Sequence, residues 1–232
     1  MAGSRPLGLD QDGSDRMVVP RSFFDRPTLE LAPALLGLIL VHETPAGIAA
    51  GRIVEVEAYC GPEDRAAHSF GGRRTPRTAV MFEQPGLTYV YRSYGIHVCF
   101  DVVSGPVGTP EAILVRALDP LQGRALMERR RSHGRHSLPP SGPAAVRWLC
   151  GGPGRLTEAL AITMAANRHP LWTAPLYLAD DGWRVGAAAV RSGPRIGIDG
   201  AKEARHYPWR FWIDQHPAVS RSETKRTGLP PT

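Results

Sequence analysis

Two stretches hold the residue types that could do chemistry. The first, RIVEVEAYCGPEDRAAH over residues 52–68, carries carboxylates at Glu55 and Glu57, an aromatic at Tyr59 and, in the segment that follows, His68. The second, LTYVYRSYGIHVCFDVV over residues 87–103, adds Tyr89, Tyr91 and Tyr94. A carboxylate can take a proton from an attacking water, and aromatic rings can hold a flat heterocycle beside it. Each member also has an ordinary role. The tyrosines suit any strand, Glu55 reads as a salt-bridged surface group, and a single histidine such as His68 is commonly a loop residue with its hydrogen bonds met. The alternation leaves open whether Glu55 or Glu57 would be the active carboxylate.

The elements that must position these groups can be read from periodicity. With a period of two, Val54, Val56 and Ala58 share a core face of one strand, and Ile53, Glu55, Glu57 and Tyr59 share the opposite face. A second strand alternates Ile96, Val98, Phe100 and Val102 against His97, Cys99, Asp101 and Val103. Before it, Ser93-Tyr94-Gly95 predicts a tight hairpin turn with a positive φ at the glycine and Tyr94 at the tip. Upstream, order is expected to begin near Phe23, with Thr28 capping a short helix that Gly37 closes, then a strand LILVHE. The segment between the two chemical stretches is dense in Gly, Pro, Arg and Thr, and a loop of that length inside a compact domain points to function.

Further along, AILVRAL reads as a strand on which Ala112, Leu114 and Arg116 share a face, and a guanidinium there needs an anionic partner. Residues 119–131 read as a helix ending in an arginine cluster, either solvated or set against a phosphate backbone. Residues 132–145 read as a mobile basic loop. LCGGPGRLTEALAI is a Gly-rich turn opening an amphipathic helix, whose first N–H groups with Arg155 could take an anion. APLYLAD, WRVGAAAVRS, PRIGI and WRFWID read as strands, and the residues from Val219 onward as a frayed tail.

A chain of 232 residues can bury a core as one domain. Lys and Arg total 28 against 22 Asp and Glu, a formal net charge of +6, and 26 of those cations are arginine. Guanidinium groups favour phosphate partners, although a GC-rich genome produces the same excess. Cys60, Cys99 and Cys150 are far apart and form no CxxC, which argues against a disulfide framework or zinc finger and for a reducing, cytoplasmic setting. Neither HExxH nor HxE with PCxxC occurs, so zinc hydrolysis is not expected. No window approaches the roughly 18 uninterrupted apolar residues of a membrane span.

The chemical residues sit in runs that resemble the alkyladenine (3-methyladenine) DNA glycosylase family. The runs are GRIVEVEAYCGPEDRAAHS, TPRTAVMF, YVYRSYGIHVCF, ILVRALDPL, LCGGPGRL and RIGI, in the family's order between Phe23 and Val219. The resemblance implies an enzyme that flips a damaged purine out of duplex DNA and hydrolyses its N-glycosidic bond with neither metal nor organic cofactor. It implies Glu57 as general base, with Arg116 and the backbone carbonyl of Ile196 holding the water. Tyr59 and Tyr91 would stack on the base and His68 bond to it, through side chain or backbone, while Tyr94 would wedge into the duplex, flanked by Ile96 and His97. Arg73, Thr75, Met81, Gly152 and Arg155 fall where the family touches the DNA strands. One position departs. The family commonly has Asn where this chain has Asp101; the amide crowds the exocyclic amine of guanine, whereas a carboxylate could accept a hydrogen bond from it.

The expectation is a single α+β domain over residues 21–220, with a curved, mostly antiparallel β-sheet core, flanking helices and a protruding β-hairpin. Residues 1–20 would be a disordered arm and 221–232 a flexible tail. The protein would act as a cytoplasmic monomer on double-stranded DNA containing damaged purines. Two rivals are a noncatalytic nucleic-acid binding module of the same fold, which would have lost Glu57 or Tyr94, and a purine nucleosidase, which would need neither the wedge nor basic loops.

Overall fold

The computed structural model describes residues 16–133 and 140–220. In chain order its strands are β1 (Met17–Val18), β2 (Ile39–Thr44), β3 (Gly47–Tyr59), β4 (Thr88–Ser93), β5 (His97–Ser104), β6 (Glu111–Gln122), β7 (Leu176–Asp180), β8 (Val190–Gly193) and β9 (Arg210–Ile213). They form one sheet in the order β1-β7-β2-β3-β6-β5-β4, with β9 added beside β3 and β8 beside β9, and every described pairing is antiparallel. The architecture is α+β. The 13-residue β3 is the longest strand, and its two halves have different neighbours. Gly47–Arg52 pairs with β2, while Glu55–Glu57 pairs with β9 along the same edge and β6 follows the other edge from Ala50 to Tyr59.

The strict alternation expected on β3 breaks at Val54. β3 has one surplus residue between Ile53 and Glu55, and β6 has one between Ala117 and Val115, so Val54 and Arg116 lie in opposed irregularities that cancel. Ile53 therefore joins Val56 and Ala58 in the main core, and Val54 packs on the other face with Ala117 and Ala218. Glu57 and Tyr59 keep the face opposite Val56 and Ala58. The bulge leaves Arg116 on the side of Glu55 and Glu57, which is what the site needs.

Among the described residues four α-helices complete the fold: α1 (Thr28–Ala34), α2 (Arg124–Ser132), α3 (Pro143–Cys150) and α4 (Pro153–Leu160). Leu31 and Leu35 from the first, Met127 from the second, Leu149 from the third and Leu156 and Leu160 from the fourth pack with Val56, Phe100 and Ile113 on one sheet face. Each such fully buried side chain contributes about 1.5–3 kcal/mol by leaving water. The opposite face is covered as well, by a cluster of Val80, Met81, Tyr89, Tyr91, Val103 and Leu114 on which the site is built.

Several local expectations are corrected. Order starts before Phe23, because Met17–Val18 pairs with Asp180 and Ala179. Pro27, not Thr28, is the N-cap of α1, and the Thr28 hydroxyl instead reaches Ser104 and Glu111. Asp119–Gln122 is strand, paired with Ala50–Arg52, and the helix begins only after Gly123. That glycine sits at φ 74°, where a Cβ would lie 2.1 Å from the Ile48 carbonyl oxygen. α3 occupies part of the expected basic loop, of which residues 134–139 lie outside the described chain. Arg130 and Arg131, expected to be solvated or DNA-facing, tie helices together: Arg130 donates to the Ala159 carbonyl, and Arg131 bonds Glu158 and the Trp148 carbonyl. PRIGI is irregular rather than strand, and Val219 and Ser220 are anchored, not frayed. The expected arm before Arg16 and tail after Ser220 lie outside the described residues.

Candidate active site

The sheet centre carries an ion network. Glu55 and Glu57 are both fully buried. Arg116 reaches from β6 to both, its Nε donating to Glu55 Oε1 at 3.0 Å and its Nη1 lying 3.2 Å from Glu57 Oε2. Glu55 is thus not a surface group. Its Oε1 also accepts from Arg210 Nε at 2.7 Å and its Oε2 from the Ser220 N–H at 2.8 Å. Glu57 accepts the Tyr59 hydroxyl proton on Oε2 at 2.9 Å and the Ile196 N–H on Oε1 at 2.7 Å. A carboxylate oxygen has two lone pairs, so Oε1 retains one for a further donor. The Ile196 backbone thus engages Glu57 through its amide. Burial would weaken Arg116's hold on its proton, yet Glu57 and Glu55 together push it up, and the cation stays charged.

Above this layer lies a cavity of about 590 Å³ whose walls include Tyr59, His68, Met81, Tyr89, Tyr91, Asp101, Arg116 and Ile196. Glu57 is not itself on the wall. It lies one layer beneath, screened by Tyr59, Arg116 and Ile196. Tyr91 stacks on Tyr89 at 4.8 Å between ring centroids, and the Arg77 guanidinium lies over the Tyr91 ring at 4.8 Å. His68 has both ring nitrogens occupied, Nδ1 with the Tyr89 hydroxyl at 2.9 Å and Nε2 with Arg77 at 3.1 Å. A guanidinium only donates, so Nε2 accepts and Nδ1 carries the proton. Burial, with Arg77 adding to it, lowers the His68 pKa to about 4, so the imidazole is neutral.

Asp101 faces the cavity from β5, opposite Tyr89 on one side and Leu114 on the other. It is 3% exposed and its Oδ1 has no hydrogen-bond partner. Burial first, then repulsion from Glu57, pushes its pKa well above the ordinary carboxylate value, with Arg77 offsetting part of the shift. Arg116 pairs with Glu55 and Glu57 instead.

The mouth is framed by the β4–β5 hairpin. Tyr94 is 90% exposed and Ile96 73%, and His97 beside them is exposed too. Both Tyr94 and Gly95 are left-handed, at φ 49° and 71°, where the sequence pattern placed only the glycine. For a tyrosine that conformation costs on the order of 1 kcal/mol or more. His97 packs so closely on α4 that a Cβ at Gly154 would lie 3.1 Å from it. Arg73 and Arg155 are exposed, Thr75 is half-buried and bonded to Thr78, and Gly152 donates its N–H to the Arg116 carbonyl. Met81 is 2% exposed and lines the cavity instead of the outer surface.

Sequence reasoning missed Arg77, Asp64, Arg195, Arg210 and Ser220. Arg195 makes a bidentate pair with Asp64, at 2.5 and 2.8 Å, and donates to the Ala58 carbonyl. Its guanidinium lies 4.6 Å from the Tyr59 ring centroid and 5.1 Å from that of Trp209. This pair fixes the loop that carries Ile196 and backs Tyr59 from behind. The adjacency of Arg195 to Ile196 was the only available signal. Among the described residues no cluster of three His, Cys, Asp or Glu could hold a metal ion, and no helix is long and apolar enough to cross a membrane.

A family model described as methylpurine-DNA glycosylase matches residues 22–217. A protein of Bacillus licheniformis is 50% identical over 203 residues, covering 88% of this chain and 96% of its own, and one of Bacillus velezensis is 46% identical with the same coverage. A Bacillus cereus protein is 45% identical over 208 residues, covering 88% of this chain and all of its own. Each of the three bears the name "Putative 3-methyladenine DNA glycosylase".

Proposed function

Because the chain belongs to the methylpurine-DNA glycosylase family, we propose that it is a monofunctional N-glycosylase acting as a monomer on alkylated or deaminated purines, 3-methyladenine among them, in duplex DNA. The damaged base leaves the stack and enters the cavity between Tyr59 and Tyr91, while Tyr94, with Ile96 and His97, fills the space left behind. Unstacking costs a few kcal/mol, which ring contacts of about 1–3 kcal/mol per base offset. A water reaching the unoccupied lone pair of Glu57 Oε1 gives up a proton to the carboxylate as its oxygen bonds C1′ and the base departs with the electrons of the broken C–N bond. Arg73, Thr75, Gly152 and Arg155 hold the strands around the mouth.

The observation that carries this reading is Glu57 itself, a buried carboxylate oriented by Arg116, Tyr59 and the Ile196 amide directly under a cavity walled by aromatic rings. A purine nucleosidase has no use for a tyrosine held 90% exposed beside the mouth. Single-lesion duplexes carrying 3-methyladenine, hypoxanthine, ethenoadenine or 7-methylguanine test the proposal, with free purine nucleosides as a parallel arm. Base release from duplexes with the strand left intact is the expected result. Release only from nucleosides, or binding with no release, would hand the case to one of the rivals. Borohydride trapping of a covalent protein–DNA complex would contradict a water nucleophile.

A further inference from the structure

Glu57 and Arg116 are surrounded by more buried charge than base excision itself requires. Glu55 does not reach the cavity, nor does Arg210, yet both are almost completely buried and both belong to the same network. Burying ions is unfavourable, and a scaffold needing only stability would do as well with apolar residues of similar size. Arg116 has one guanidinium and two carboxylates to serve, at 3.0 and 3.2 Å. Arg210 competes for the first of these at 2.7 Å, and its other arm donates to the Ser220 carbonyl at 2.7 Å, which fixes its own position.

We propose that Glu55 and Arg210 are positioning residues that set both where Arg116 sits and how much of its charge Glu57 receives, and thereby the lower pH limit of base excision. The proposal rests on Glu57 as the base. The charged and titratable groups that face Glu57 are Arg116 from β6, Tyr59 from its own strand, Asp101 from β5 and Arg195 from the loop before Ile196. Arg210, the partner of Glu57 across the β3–β9 ladder, adds a cation from β9 and also acts through Glu55. Removing the Glu55 charge leaves Arg116 to Glu57 alone and takes away a neighbouring anion. Removing the Arg210 charge lets Glu55 draw harder on Arg116. The two changes push the surroundings of Glu57 in opposite electrostatic directions, which generic damage to the fold cannot imitate.

Single-turnover excision of hypoxanthine from duplex DNA, followed across pH, tests this with parent, Glu55→Gln, Arg210→Gln and Glu57→Gln proteins. The acidic limb of the profile is expected to move by about one pH unit to lower pH in Glu55→Gln and by a similar amount to higher pH in Arg210→Gln. Both should lose about tenfold in the maximal rate through displaced Arg116, with lesion-DNA affinity unchanged. Limbs that coincide with the parent's, or that move in the same direction, overturn the proposal. The Glu57→Gln arm separates the two levels: an inactive Glu57→Gln with unmoved limbs sinks only this inference, whereas an active one sinks the assignment of the base as well. Should Glu55→Gln fail to fold, Arg210→Lys against Arg210→Gln decides, because lysine must hold the limb in place while glutamine shifts it.

Discussion

The two ends of the site are built on opposite principles. Around Glu57 the main chain is locked by ladders on both edges of β3, and both carboxylates have partners on each oxygen. At the β4–β5 tip a single turn bond, from the Ile96 N–H to the Ser93 carbonyl, closes the hairpin around a tyrosine in a strained conformation with no side-chain partner described. Under the proposed function, chemistry that depends on the position of one proton acceptor is held by buried charge, and engagement of a long polymer is left to exposed apolar groups that wait for the polymer to cover them. The division predicts that variants of the first region change rate or folding, and variants of the second change DNA engagement while folding stays intact.

Glu57→Gln is the strongest test of that division. An amide cannot take the water's proton, so excision should fall by roughly 10²- to 10⁴-fold while lesion-duplex binding survives. Parallel losses of binding and turnover would show that the locked region also grips the DNA. Next comes Asp64→Asn, which leaves Arg195 buried without its carboxylate and should cost about 3–5 kcal/mol in denaturant unfolding. A cost below 1 kcal/mol would mean the loop carrying Ile196 is held by packing alone.

Tyr94→Ala should then lower excision from duplexes roughly 10- to 100-fold, the value of one lost stack, with an unchanged melting temperature because the ring is already in solvent. Tyr94→Phe should stay near the parent. Parental activity in Tyr94→Ala would remove the tip from the mechanism.

Asp101 belongs to neither regime, being buried like Glu57 yet unpartnered like the tip, and it gives the smallest effect. Its folded pKa is raised above the ordinary 3.8, so its contribution to stability is full below that value and is lost as pH rises. Asn cannot ionise. Asp101→Asn should therefore gain about 1 kcal/mol, or a melting rise of roughly 2–4 °C, that develops only above pH 4. A melting difference that is flat across pH would place Asp101 outside this account.

Local pattern revealed the elements whose partners lie nearby, and this explains what was legible. The alternation of β5 and the amphipathic α4 are properties of a few adjacent residues, and they were read correctly. Asp119–Gln122 was misread because Asp, Pro and Gln look like a helix start, and only pairing with β3 makes them strand. Glu55 was misread for a related reason. A glutamate on a strand looks exposed until cations from residues 116 and 210 arrive, and separations of 61 and 155 positions leave no local trace. The same holds for Asp64 and Arg195, 131 positions apart. The expected site residues drew on the resemblance, while the charges that hold them in place needed three dimensions.

The opposed surpluses at Val54 and Arg116 have a consequence for how this chain can change length. Each strand carries one residue more than a regular ladder would allow, and the two errors cancel before Val56 meets Val115. Losing Val54 alone would put one strand out of step with the other and turn every later side chain of β3, Glu57 and Tyr59 included, toward the wrong face. Losing both would restore regular pairing from Ile53 to Val56 and delete the arginine on which Glu57 depends. Viable descendants of this gene should thus keep the two insertions as one inherited unit, and single-codon deletion scanning across β3 and β6 should find these positions as intolerant as Glu57 itself.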